Sequence, residues 1–354
     1  MHALKKQEVD SLALGSAVLG SGGGGNPHIG AMLLKQAMED EHIESVAVTP
    51  FDEIDSSHFL ISSAGIGSPA IGIEKIANGQ EYHFAFRKLE EFLSRRASHV
   101  SPVEIGGINS LIPFIAAIRL KLPVADGDGE GRAFPELQMT TFSALGLRAS
   151  PMCIVDEKRN SCIVQGIDDV WTERIARTIA VRFGGRGCVA LYPLRGDDYR
   201  SSAIPDSLSL ALNIGESLSE GIKKKDAEQS LISSARAKRI FCGKIVDVKR
   251  FNTRGFAIGH VLIDGTDEHR GERVRVLFQN EYLLLKRMLD GGEEETVLST
   301  PQIISVHDQT TLLPITTDHV RYGMRCTVYS IPVSSKWHFE GASKIVGPEA
   351  FKLF

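Results

Sequence analysis

Apolar and polar positions follow two rhythms along this chain, and the change between them divides it. In residues 7–19 the positions Leu12, Ala13, Ser16, Val18 and Leu19 make a loosely apolar face, which predicts a helix. Residues 28–39, with Ile29, Met32, Leu33 and Leu34, predict a second one. Runs at 43–49 and 58–63 predict strands, and residues 64–69 read as a glycine-rich loop. A helix over 81–97 carries the charges from Arg87 to Arg96 on its wet side. Residues 100–105 are strand-like until Gly106 and Gly107 break the run, and Asn109 suits the N-cap of a helix over 112–120. A short strand at 122–125 ends in an acidic glycine loop, after which Pro135 opens a helix reaching about Leu145. This order predicts an α/β domain with a partly parallel sheet.

Beyond Ser150 and Pro151 the texture changes. Residues 152–155 and 161–165 predict a hairpin, followed by a helix over 169–182, a strand over 188–194 and a helix over 207–222. From Arg239 short β-like runs take over, at 240–251, 256–263, 273–278, 302–306 and 325–331. The fold class is therefore α/β: an N-terminal α/β domain over 1–167 and a β-rich, mixed α+β C-terminal domain over 168–354.

Composition narrows the function classes. The chain has 354 residues, 42% hydrophobic and 24% charged, as a soluble globular protein does. A net charge of −4 offers no basic field for nucleic acid. No apolar run is long enough to span a membrane and no signal-peptide core is present, so cytoplasmic residence is expected. The five cysteines show no Cys-x-x-Cys pair, which argues against a zinc ribbon or a redox motif. The 34 glycines, many clustered in loops, are the outlier.

The candidate chemistry sits in those loops. Asp126 and Asp128 directly follow a predicted strand, on a backbone freed by Gly127, Gly129 and Gly131, and ligands of open α/β sheets collect beyond such strand ends. Two close carboxylates can hold a cation, accept substrate N–H bonds, or raise one another's pKa and carry protons. The bland alternative is a solvated turn, because Asp-Gly is common turn chemistry. Glu104 ends the preceding strand, and neighbouring strands lie roughly 5 Å apart, so Glu104 and the aspartates can share one rim. Gly22, Gly23, Gly24 and Gly25 expose backbone N–H groups at a helix start, a natural anion site. The run is neither a Walker loop nor a dinucleotide fingerprint, so no nucleotide cofactor is expected. His28 beside it is a lone histidine, a type more often structural than catalytic.

Three stretches together resemble the S-methyl thiohydantoin desulfurase family: Leu19-Gly-Ser-Gly-Gly-Gly-Gly-Asn-Pro27, Glu104-Ile-Gly-Gly-Ile-Asn109 and Asp126-Gly-Asp-Gly-Glu-Gly-Arg-Ala-Phe-Pro-Glu136. Gly243-Lys-Ile-Val-Asp-Val248, the stretch 255–265 and Arg321-Tyr-Gly-Met-Arg325 look similar too, so the likeness spans nearly the whole chain. It implies kinship with hydantoinase and oxoprolinase systems, and a hydrolase or desulfurase acting on a small polar heterocycle of hydantoin or thiohydantoin type. On this reading Asp126, Asp128 and Glu104 are the catalytic carboxylates. Gly22 to Gly25, Asn26, Asn109, Arg132 and Glu136 face the substrate, with Arg132 gripping a substrate carboxylate. A divalent metal, if used, sits on Glu104, Asp126 and Asp128. The competing expectation is a non-catalytic ligand-binding or accessory subunit of a hydantoinase-type partner. A homo-oligomer fits either reading.

Overall fold

The computed structural model describes residues 1–354 apart from 68–70, 72–74, 76–77, 254 and 352–354. Its first sheet has eight strands. In chain order these are β1 (Ala3–Lys5), β2 (Ser45–Thr49), β3 (Phe59–Gly67), β4 (His99–Ser101), β5 (Val124–Ala125), β7 (Met152–Val155), β8 (Ser161–Val164) and β9 (Arg186–Arg195), with the short β6 (Gly127–Asp128) pairing separately with β10 (Ile204–Pro205). In space they run β1-β2-β5-β4-β3-β9-β7-β8. The four central strands β2, β5, β4 and β3 are parallel and the flanking pairs antiparallel. The expected partly parallel sheet is present.

Helices cover the sheet because their periodicity leaves each one apolar stripe. In Gln80–Leu93, Tyr82, Ala85, Phe86 and Leu89 are buried at helical spacing, while Lys88 and Glu91 pair at the surface. This helix joins Val9–Leu19, Pro27–Asp40, Ile112–Leu120 and Ser207–Lys224 in the core on one face, and Asp169–Arg182 packs on the other. Val9–Leu19 and Ser207–Lys224 cross at backbone contact: a Cβ on Gly15 would sit 1.7 Å from the Ala211 carbonyl oxygen, and one on Gly215 1.7 Å from that of Ser11.

The second sheet is wholly antiparallel, with seven strands: β11 (Lys238–Thr253), β12 (Phe256–Gly265), β13 (Arg273–Gln279), β14 (Glu281–Met288), β15 (Glu294–Ser299), β16 (Ile303–Asp308) and β17 (Arg325–Ile331), in the order β15-β14-β13-β12-β11-β17-β16. It curls around a core that includes Ile263, Val276, Phe278 and Val328. The C-terminal tail then returns, and Trp337 and Phe351 pack on Phe134 and Leu283. Among the described residues no helix is long and apolar enough to cross a membrane.

Several expectations are corrected. Residues 64–67 continue β3 rather than form a loop; the rest of that predicted loop, Ser68 and Pro69, lies outside the described residues. Strand β4 stops at Ser101, because the Val103 carbonyl accepts from Gly129 and the Ile105 N–H donates to Asp128, so the chain leaves the ladder. Asn109 caps no helix; its side chain turns to Gly65 and Glu104. The helix expected from Pro135 shrinks to Thr141–Ala144, because side chains claim the backbone there: Glu130 holds the Phe134 N–H, Glu173 the Leu137 N–H, and Arg177 the Pro135 carbonyl. Strands β14 and β15 and the helix Ala227–Ala235 were not anticipated. The first sheet draws strands from both sides of residue 167, since β9 from beyond it pairs with β3.

The helix crossing yields a direct expectation. Gly215→Val forces the two backbones apart, and overpacking of this kind costs roughly 1–3 kcal/mol. Urea denaturation should show that loss; an unchanged midpoint would contradict the close crossing.

Candidate active site

Five segments line a half-open cavity of about 110 Å³: the glycine loop, the end of β3, the turn after Val103, the acidic loop and the turn between β13 and β14. The glycine loop bends with positive φ at Gly22, Gly24 and Gly25. It crosses the Gly106-Gly107 turn without room for side chains, since a Cβ on Gly24 would stand 2.3 Å from the Gly106 oxygen and one on Gly107 2.4 Å from the Gly24 carbonyl carbon. The Ile108 N–H seals the crossing by donating to the Gly24 carbonyl at 2.9 Å.

Four glutamates line this space, the buried Glu104, Glu130 and Glu281 and the half-buried Glu136. Glu104 accepts a hydrogen bond from Asn109 Nδ2 through Oε1, and Asn109 is itself fixed by the Gly65 N–H at 2.8 Å. Glu130 accepts from the Phe134 N–H at 2.6 Å. Glu281 accepts from the Gly24 N–H at 3.1 Å. The anion that this part of the glycine loop receives is thus the protein's own carboxylate. The second oxygens of Glu104 and Glu281 are buried with no hydrogen-bond partner, an uncommon and costly condition for polar atoms.

Burial dominates the electrostatics. It pushes Glu104 and Glu130 well above the usual carboxylate range, and neighbouring acids push them further. Burial likewise lifts Glu281 to about 7, with the Gly24 N–H and the Arg132 charge pulling it back. At neutral pH the cavity therefore presents carboxyl groups that donate beside one that can accept. Arg132 is fully buried and its pKa falls to about 10. Its guanidinium donates to the carbonyls of Ala133, Pro301, Gln302 and Tyr282, and its face covers the Phe134 ring at 4.5 Å.

The residues singled out from sequence are therefore partly brought together. Gly24, Gly25, Asn26, Glu104, Asn109 and Glu136 line the one cavity, with Asn26 also capping Pro27–Asp40 through the His28 N–H. Gly22 and Gly23 pack against Tyr282 and Glu281 instead. His28 points outward, exposed. Asp126 does not reach the cavity: its carboxylate accepts from the Leu208 and Ser209 N–H groups at 2.9 and 3.2 Å and from the Ser209 hydroxyl, and so caps Ser207–Lys224. Asp128 stands behind the wall, one oxygen gathering the N–H groups of Ile105, Glu130 and Gly131 at 2.9, 3.1 and 2.8 Å, and burial raises it to about 7. Arg132, held by four carbonyls, is not free to clamp a substrate. Glu104, Asp126 and Asp128 do not converge as a cation site. Among the described residues no three His, Cys, Asp or Glu ligand atoms in the cavity lie within 4.8 Å of one another.

Sequence reasoning missed Glu130, Glu281, Arg177 and Arg186. Glu130 stood within the singled-out motif, two residues from Asp128. The signal for Glu281 was a polar interruption, Gln279-Asn280-Glu281, within an otherwise apolar hairpin. Arg177 is tied to Glu173 and the Pro135 carbonyl, and Arg186 to the Tyr82 hydroxyl and the Lys75 carbonyl.

Comparison with known proteins adds a family. Residues 7–166 match the family model for the S-Me-THD-like N-terminal domain, and residues 167–353 that for the S-Me-THD-like C-terminal domain. A crystal structure of a protein from Chromobacterium violaceum shares the fold, with a TM-score of 0.81 and 22% identity over 99% of this chain and 96% of that one. No curated protein matches.

Two outcomes test these placements. Glu281 ionises near 7 when folded but near 4.5 when unfolded, so between those values the unfolded chain has already shed a proton that the folded chain keeps. This group therefore lowers stability as pH rises from about 4.5 to about 7, and adds no further slope above that range. Glu281→Gln removes that slope: the variant should gain on the order of 1–3 kcal/mol over the wild type at about pH 8, and converge with it near pH 4. Parallel urea titrations across this range decide it; identical pH slopes would refute the burial account. Asp126→Ala, by contrast, strips a helix cap and should lower stability by about 1–3 kcal/mol at neutral pH.

Proposed function

Because the chain belongs to the S-Me-THD-like family, we propose that this cavity is the active site of a hydrolase that removes sulfur from a small thiohydantoin-like ring. One observation carries the reading: two buried glutamates, Glu104 and Glu281, each keep an oxygen without a partner in a cavity between glycine turns. Such a pair is suited to a ring with N–H and carbonyl-type edges. A carboxyl kept neutral by burial donates to the acceptor edge, and one that ionises near neutrality accepts a proton.

The chemistry balances with these groups alone. Glu281, ionised, takes a proton from water as the water oxygen bonds to the sulfur-bearing ring carbon. The carbon–nitrogen double bond opens toward nitrogen, which receives the proton of Glu104. Collapse breaks the carbon–sulfur bond. The departing thiolate takes the proton from Glu281, and the new hydroxyl returns one to Glu104 as it becomes a carbonyl. Asn109 positions Glu104, and the Gly24 N–H positions Glu281.

Purified protein incubated with an S-methyl thiohydantoin should release methanethiol, measured with a thiol reagent. Glu104→Gln should slow release by about 10²–10⁴-fold, the usual weight of a general acid. Asp126→Asn should retain the rate in the folded fraction. Ring binding without thiol release by the wild type would overturn the hydrolase reading in favour of a binding subunit.

A further inference from the structure

A second cluster of reactive side chains lies far from the cavity. Cys242 on β11 is fully buried, and its sulfur lies 3.4 Å from His269 Nδ1. His269 closes the Thr266–His269 turn between β12 and β13, and its Nδ1 is 3.8 Å from Glu268 Oε1. These three ligand atoms all lie within 4.8 Å of one another. Asp267, in the same turn, places Oδ2 4.0 Å from the sulfur. We propose that Cys242, His269 and Glu268 form a divalent transition-metal site of zinc type, with Asp267 or water in the fourth position.

The spacing and the donor types support this. Zinc–sulfur bonds of about 2.3 Å and zinc–nitrogen bonds of about 2.0–2.1 Å at a tetrahedral angle set sulfur and nitrogen about 3.5 Å apart. The sulfur–nitrogen edge here is 3.4 Å. Nδ1 faces the Cys242 N–H at 3.4 Å, so it is the unprotonated nitrogen of the ring, and a metal would take its lone pair in place of that long contact. The Phe241 ring packs on the imidazole, centroids 4.6 Å apart, and fixes its plane. Glu268 now meets Arg239 at 3.1 Å, but Arg239 has a second partner in Glu228 at 3.7 Å, so Glu268 can swing to a metal without stranding the guanidinium. Thiolate and carboxylate would together balance a divalent charge.

The site is structural in placement. β12 runs ten residues between this turn and the cavity end, where Asn280 bonds to Ala257. At about 3.3 Å per residue that separation is roughly 30 Å. A metal here staples β11 to the β12–β13 turn and takes no part in the cavity's chemistry.

The test uses the full-length, reduced, chelator-stripped protein titrated with Co²⁺ and then Zn²⁺. A single equivalent of Co²⁺ should bring up sulfur-to-cobalt charge-transfer absorption, which Zn²⁺ abolishes by displacement. Cys242→Ser should lose the band, and His269→Gln should weaken Zn²⁺ binding by at least roughly tenfold. Glu104→Gln, in the cavity, should alter neither. Absence of the band in the wild type overturns the proposal, whether or not the Cys242 variant folds. So does Zn²⁺ binding that survives Cys242→Ser.

Discussion

One guanidinium joins the two halves of this protein. Arg132 comes from the acidic loop of the first half, yet it donates to the carbonyls of Tyr282, Pro301 and Gln302 in the second. A cation taken wholly out of water is tolerable only if it is fully hydrogen-bonded and faces negative charge. Four carbonyls receive its N–H groups, and Glu281, the cavity acid that ionises near neutrality, is the largest charge raising its pKa against the effect of burial. Arg132 in turn helps to hold Glu281 down near 7. The acidic loop, the β13–β14 turn and the strand entry at Pro301 are locked together by the hydrogen bonds of Arg132.

Around this pivot the glycine loops do a geometric task. The crossing of Gly24 with Gly106 and Gly107 brings two turns to backbone contact, so that Glu104 and Glu281 line one cavity from opposite halves. The burial of these side chains then sets the chemistry. Removing water raises the acids, and raised acids can donate protons at neutral pH. Their unpartnered oxygens are a destabilising feature that a fold rarely keeps at random; Asp128, behind the wall, also keeps one oxygen without a partner while its other gathers three N–H groups, and Asp126 is satisfied through Leu208, Ser209 and the Met1 amino group.

Much of the fold was legible. The helix at Asp169–Arg182 and the hairpin at Met152–Val155 and Ser161–Val164 follow from local period and turn residues, which need no distant partner. The failures share a cause. Strand β4 and the helix after Pro135 fell short because side chains from remote segments took their backbone groups. Asn109 had the residue type of a cap, but a buried glutamate nearby took its amide.

The acidic loop shows the same division. Sequence alone determined that a glycine-freed acidic segment follows a strand end; Glu104, expected to end the strand before it, lies three residues beyond that strand, in the turn that Asp128 holds. Asp126, Asp128 and Glu130 alternate in that segment, and nothing in their spacing ranks them. Tertiary structure decided the roles: Asp126 meets a helix N-terminus, Asp128 meets three amides, and Glu130 meets the cavity. It also supplied Glu281, which reaches the Gly24 N–H from 257 residues away. A carboxylate's function depends on which donors and how much water surround it, and those are set by segments that only folding brings into contact.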